Sequence, residues 1–164
     1  MALRDEALAP LPEFGPLDGR QSSNALAIAK GVRRMLRAQG WSTLTEVSLA
    51  SGRRADLVAL DGASAIHIIE IKSSVADFRA DQKWPAYRDY CDALYFAVTQ
   101  DMPLEIMPQD AGLILADAYG AQIMREPPLH PLAPARRRAM LLRYAQLAAD
   151  RLHDLADPQA RMTD

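Results

Sequence analysis

The chain has 164 residues, enough for one domain with a proper core and too few for two comfortable ones. With 49% hydrophobic residues, 24% charged residues and a net charge of −2, it is neither a polar disordered chain nor a strongly basic one, which speaks mildly against an unaided nucleic-acid binder. A single cysteine excludes an intramolecular disulfide framework, and the sequence has neither an apolar run of roughly 18 residues nor a basic start followed by an apolar stretch, so a cytoplasmic protein with no membrane span is expected.

Residues 1–21 hold Pro10, Pro12, Gly15, Pro16 and Gly19 without periodicity and read as an arm or loose cover. Ser22 or Ser23 then caps a helix running to about Gln39, with Ala25, Ile28, Ala29, Val32 and Leu36 at helical spacing and Gly40 as the stop. Opposite its apolar face lie Lys30, Arg33, Arg34 and Arg37, a stripe of one sign. Like charges on a wet face forgo stabilising i,i+4 pairs, so the stripe is either an ordinary solvated face or a surface that tracks phosphate. Of the 19 basic residues 16 are Arg, whose planar fork suits phosphate; a GC-rich coding bias explains the same ratio.

Trp41 to Leu49 alternates loosely as a strand, with Glu46 near its end, and Ala50-Ser51-Gly52 turns the chain. Two aliphatic runs follow, Arg54–Leu60 and Ile66–Lys72, joined by a loop that opens with the hairpin signal Asp61-Gly62. Pairing symmetric about Ala63 sets Leu60 against Ile66, Val58 against Ile68, Asp56 against Glu70 and Arg54 against Lys72. Opposed residues on one face have Cβ atoms about 4.5–5.5 Å apart, and the two-residue period adds Lys72 to the face of Glu70. The rest of that face is Val58, Leu60, Ile66 and Ile68, which a solvated surface would not choose. Paired hard carboxylates with an ammonium beside them, set in apolar sequence, suit Mg²⁺ or Mn²⁺ whose shell is completed by water and phosphate. An ordinary cross-strand ion pair is the plain alternative. His67 belongs to the opposite face and reads as a core or interface histidine.

After Lys72, Ser74 and Asp77 form a capping box for a helix expected to run towards Cys91, kinked or restarted at Pro85. Asp92–Thr99 is a nearly continuous apolar run, as in a buried strand. A long connection with Pro103 and Pro108 leads to a strand over Ala111–Ala118, and Tyr119-Gly120 turns into Ala121–Glu126. Pro127, Pro128, Pro131 and Pro134 mark a linker. The last helix starts near Pro134 and carries Leu141, Ala145, Ala148, Leu152 and Leu155 at steps of four and three, a seam for the core or for a second copy. The expected organisation is an arm over 1–21, a core domain over 22–127, and a linker with a C-terminal helix over 128–164. The order α-β-β-β-α-β with two further strands and a helix predicts an α/β fold with a mixed sheet, an antiparallel meander followed by a parallel strand.

Asp56, thirteen intervening residues and Glu70-Ile71-Lys72, on adjacent strands in that order, resemble the PD-(D/E)XK phosphodiesterase superfamily with its restriction-endonuclease-like fold, a likeness covering residues 22–99. More narrowly, Asp18-Gly19-Arg20-Gln21-Ser22, Ser51-Gly52-Arg53-Arg54-Ala55-Asp56 and Asp77-Phe78-Arg79 to Lys83-Trp84 resemble the MmcB-like family of DNA-repair proteins, across most of the chain. One departure is Ala55, where the superfamily motif often has proline. The resemblance implies that Asp56, Glu70 and the carbonyl of Ile71 hold one or two Mg²⁺ ions, that Lys72 orients water or offsets charge on the phosphorane, and that Glu46 is an additional acid. It also implies that Lys83 and Tyr87, four apart on the next helix with Ala76 and Ala80, contact the substrate; packing is the other reading for Tyr87. The expected function is thus a metal-dependent DNA endonuclease in repair. Two alternatives are a catalytically silent scaffold that binds DNA or other repair proteins and an enzyme acting on RNA. A homodimer is compatible with all three. There is no phosphate-cradling Gly-rich loop, Cys91 has no positioned His, and three scattered His do not make a zinc site.

Overall fold

A computed structural model describes residues 22–159; the arm over 1–21 lies outside them. Six strands form one sheet in sequence order: β1 (Ser42–Ser48), β2 (Arg54–Leu60), β3 (Ile66–Ile71), β4 (Ala93–Val98), β5 (Gly112–Ala116) and β6 (Ala121–Arg125). The first three make an antiparallel meander, β4 and β5 continue in parallel, and β6 returns antiparallel at the edge. This is the mixed sheet expected from the element order. Every residue of β3 and β4 is buried, consistent with their unbroken apolar runs and their place in the middle of the sheet.

The β2–β3 register is the one set by symmetry about Ala63: Leu60 faces Ile66, Ala59 faces His67, Val58 faces Ile68 and Leu57 faces Ile69. The turn works through a side chain. Asp61 Oδ1 accepts from the N–H groups of Ala63 and Ala65, both at 2.9 Å, and the left-handed residue is Ser64 at φ 64°, not Gly62.

Helix α1 (Ser23–Ala38) begins where the Ser22 hydroxyl accepts from Ala25 N–H at 3.1 Å and ends before Gly40, at φ 80°. Its Ile28, Val32 and Leu36 are fully buried against β3, β4, β5 and β6, each contributing roughly 1.5–3 kcal/mol. Gly31 permits that approach, because a Cβ there would stand 2.0 Å from the Asp117 carbonyl oxygen in the β5–β6 turn.

On the other face lies helix α3 (Pro134–Ala156), with proline in its first turn. It packs through Met140, Leu141, Tyr144 and Leu147 on Val47, Val58, Ile66 and Ile68. The expected seam is corrected by about one residue. Leu152 and Leu155 are 67% and 38% exposed and Ala145 is exposed, while Leu141 and Ala148 are half-buried. Met140, Tyr144, Leu147 and Arg151 follow the same steps of four and three, and an anchor on their side sets the rotation. That anchor is the Arg137 guanidinium, which holds the buried Asp92 carboxylate through both of its terminal nitrogens. Arg143 and Arg151 donate to the carbonyls of Ser48 and Glu46, so α3 also closes part of the edge of β1. No described helix is long and apolar enough to cross a membrane.

The helix expected from Ser74 towards Cys91 is interrupted. Helix α2 spans only Val75–Ala80, and a 3₁₀ turn covers Trp84–Tyr90. Pro85 is the cause, since in a continuous helix its ring would strike the carbonyl of residue 81. The capping box is present in altered form. Asp77 N–H donates to Ser74 Oγ at 3.1 Å, while the Asp77 carboxylate reaches back one residue further, to Ser73 N–H at 3.0 Å.

Candidate functional site

The β2–β3 ladder stops at Leu57 and Ile69, and beyond it side chains take the place of backbone partners. Asp56 N–H donates to Glu70 Oε1 at 3.2 Å, and Ile71 N–H donates to Asp56 Oδ2 at 2.8 Å. Each carboxylate thus spends one oxygen on the opposite strand. The two strands part around them, and Asp56, Glu70, Ile71 and Lys72 line one cleft of about 460 Å³, with Asp77 and Asp81 from the α2 region and Tyr87 from the 3₁₀ turn.

Glu70 is 3% exposed, and burial together with the adjacent Asp56 raises its carboxyl well above the ordinary range. Burial likewise pushes Asp56 up to about 6, although the Ile71 N–H and the Lys72 charge pull the other way. Among the described residues the cation nearest the pair, the Lys72 ammonium, is 3.9 Å from Glu70 Oε2 and closer to another acid, 2.7 Å from Asp81 Oδ2. In the lining, Asp56, Glu70, Asp77 and Asp81 outnumber Arg54 and Lys72. That excess attracts a cation and repels a bare phosphate.

Glu46 stands beside this pair. It lies in β1 opposite Asp56, between the pairs Thr45–Leu57 and Val47–Ala55, and its charge acts on Asp56. Its backbone adopts φ 53°, a strained conformation for a residue with a side chain, and Arg151 holds its carbonyl at 3.2 Å. Its carboxylate pairs with Arg54 at 2.8 Å, so Arg54 turns to β1 instead of to Lys72.

Tyr87 is buried, packs with Val58 and Ile68, lines the cleft and donates its hydroxyl to the Arg54 carbonyl at 3.0 Å. Lys83 does not share its face, because the break before Pro85 separates them; Lys83, Ala76 and Ala80 are exposed. Nor do the cations of α1 form a rim on the cleft. None of the four lines it. Adjacent helical residues point about 100° apart, so Arg33 reaches Thr43 in β1 at 3.4 Å while Arg34 reaches the Ala118 carbonyl beyond β5 at 3.1 Å. Lys30 and Arg37 are exposed.

His67 lies in the core, with Nε2 3.0 Å from Asp61 Oδ2 and its ring 4.1 Å from that of Trp41. Burial pushes the Cys91 thiol up to about 12, which removes it as a nucleophile. Asp81 and Asp77 line the same cleft but were not singled out as candidates by the sequence. The signal for Asp81 was present, since Pro85 dictates a helix break four residues before itself.

Among the described residues no group of three His, Cys, Asp or Glu side chains is arranged to hold a metal ion. The donor set fits a cation that needs fewer protein ligands. Two hard carboxylates, each with one oxygen not committed to a backbone N–H, match the one or two that Mg²⁺ takes alongside water and phosphate.

The family model for DNA repair protein MmcB-like matches residues 13–159, which include the motif residues 18–21 outside the described structure. Among solved structures, the SPO1766 protein of unknown function from Silicibacter pomeroyi is similar, with 42% identity and a TM-score of 0.81. The match covers 85% of this chain and 95% of that one. Comparison with curated proteins gives no match.

Proposed function

We propose, starting from the membership of this chain in the MmcB-like DNA repair family, that it is a divalent-cation-dependent DNA endonuclease of the PD-(D/E)XK type. The observation that carries this reading is the pair Asp56 and Glu70: a half-buried and a fully buried carboxylate, both raised by burial and Glu70 also by Asp56, with Lys72 standing 3.9 Å from Glu70 but 2.7 Å from Asp81. Charge that the described fold compensates only in part, with a cation that sits closer to Asp81, calls for a partner from solution. The α-β-β-β-α-β order, with β4 parallel to β3, supports the restriction-endonuclease-like placement.

Asp56, Glu70 and the Ile71 carbonyl would hold Mg²⁺ or Mn²⁺. Bound there, the ion would polarise a phosphodiester and make a nearby water more acidic. The chain's own residues do the rest. Lys72 keeps an ammonium at the mouth of the carboxylate pair, Glu46 adds charge behind Asp56, and Tyr87 fixes the strand end by holding the Arg54 carbonyl. Lys30 and Arg37, exposed on α1, and Lys83, exposed after α2, are among the described cations that could meet DNA phosphates; Arg33 and Arg34 can add to that only by leaving Thr43 and Ala118.

A second reading keeps the scaffold without the chemistry, as an accessory factor that binds DNA or another repair protein. It is favoured by the lack of a three-ligand metal cluster among the described residues and by the engagement of Lys72 with Asp81. Cleavage of nicked, gapped, flapped and single-stranded DNA by wild type and Glu70→Gln, with Mg²⁺ or Mn²⁺, separates the two. The nuclease reading expects turnover in wild type alone; equal background in both leaves the scaffold.

A further inference from the structure

Asp81 leaves helical geometry at φ −95° and ψ 82°, at the position where Pro85 forbids the helix to continue. Leaving the helix frees its carboxylate to face inward. Oδ1 accepts from Lys83 N–H at 3.2 Å, and Oδ2 accepts from the Lys72 ammonium at 2.7 Å. Lys72 has a side chain only 6% exposed, and among the described residues the other acid within 4 Å of its ammonium is Glu70, whose Oε2 is 3.9 Å away. A buried ammonium does not stay unpaired. If Asp81 did not take it, a movement of about one ångström would put it in contact with Glu70, at the same oxygen that no backbone N–H claims.

We propose that Asp81 is a positioning residue of this pocket: it stations the Lys72 ammonium off Glu70, so that the Asp56–Glu70 pair stays open to a divalent cation. The inference rests on the reading of that pair as a cation site. It gives the helix break a purpose, since an unbroken helix would direct residue 81 elsewhere, and it explains why Lys72 is closer to Asp81 than to the acid two residues before it. Asp77 provides the comparison. It lines the same cleft and carries the same charge, but its carboxylate is committed to Ser73.

The test is a calorimetric titration of the full chain with Mn²⁺, made for wild type, Asp81→Asn, Lys72→Met and the double variant, with folding checked by circular dichroism. Asp81→Asn is expected to weaken Mn²⁺ binding about tenfold, within the range of coupling between residues of one network. In the Lys72→Met background the same substitution should cost less than about twofold, because no ammonium remains to fall onto Glu70. Asp81→Glu should restore wild-type affinity. Should Asp81→Asn fail to fold, Asp81→Ser replaces it, as a hydroxyl can still accept the Lys83 N–H. An equal loss in both backgrounds means that Asp81 acts only as one more negative charge, as does an equal loss in Asp77→Asn, and either overturns the proposal. No loss at all overturns it too. Wild type that binds no Mn²⁺ overturns the cation reading first and this inference with it.

Discussion

Asp92, just before β4, and Glu70, in β3, are both acids almost completely buried, 5% and 3% exposed, and they are treated in opposite ways. Asp92 accepts from Ile66 N–H, Leu132 N–H and two guanidinium nitrogens of Arg137. Burial pushes its carboxyl upward, yet these donors outweigh it and hold Asp92 below its ordinary 3.8. One carboxylate thereby ties together the start of β3, the proline-rich linker and α3. Glu70 has a single N–H and an ammonium that prefers another acid. Burial alone therefore does not mark a functional carboxylate. Burial without sufficient donors is what makes Glu70 a candidate.

The sharpest way to break this comparison is by stability. Asp92→Ala leaves two backbone N–H groups without their acceptor and Arg137 without its carboxylate, with only the Ser64 carbonyl remaining, and should cost about 3 kcal/mol or more, whereas Glu70→Gln should be neutral or stabilising, because it removes one of two neighbouring like charges. Urea denaturation of both variants measures it. A reversed order would mean that Glu70 is the structural acid.

Lys72→Met should lower cleavage on the order of a hundredfold, the scale of losing one preorganised electrostatic group, while sparing Mn²⁺ affinity. Single-turnover kinetics beside a cation titration distinguishes this from simple misfolding, which would lower both.

The two acids should also respond oppositely to pH. Asp56 and Glu70 have folded values above their unfolded ones, so they favour the fold when protonated; the Asp56 contribution is lost as pH rises through about 6, and that of Glu70 as pH rises through its own raised value. Asp92 has a depressed folded value, so its contribution is present above 3.8 and lost as pH falls through that lower value. Wild type should therefore lose stability as pH rises from about 4 through 6, Glu70→Gln should lose less over the whole rise in pH, and saturating Mg²⁺ should reduce the loss. Denaturation midpoints across pH read this directly; identical profiles for wild type and Glu70→Gln would contradict it.

The smallest effect belongs to the helix cations. Lys30→Gln with Arg37→Gln should reduce the salt dependence of DNA binding by about one unit of slope for each phosphate that is no longer neutralised. An unchanged slope returns them to an ordinary wet face.

The carboxylate pair was legible in the sequence because a hairpin register needs only the period of two and a turn, and Asp61 supplied the turn through its own side chain. The mixed sheet was legible for the same kind of reason: apolar runs and short connections. Three features depended on distant partners and were not legible. Asp92 resembled the first residue of a strand, and its main partner is Arg137, 45 residues away. That ion pair rotates α3, so a seam beginning at Leu141 could not be told from one beginning at Met140 by spacing alone. The stripe on α1 looked continuous, but Arg33 and Arg34 find partners on opposite sides of the helix. Asp81 was legible in principle, since the proline that breaks the helix lies only four residues on.

A divalent cation held by Asp56 and Glu70, as proposed, would have to displace the proton that their raised carboxyls favour. Calorimetric titration of wild type with Mn²⁺ near pH 6, the value to which Asp56 is raised, in two buffers of different ionisation heat tests it most directly. The expected result is binding at one carboxylate pair accompanied by proton release, with both lost in Asp56→Asn. Absence of binding, or binding without proton release that survives in Asp56→Asn, would contradict it.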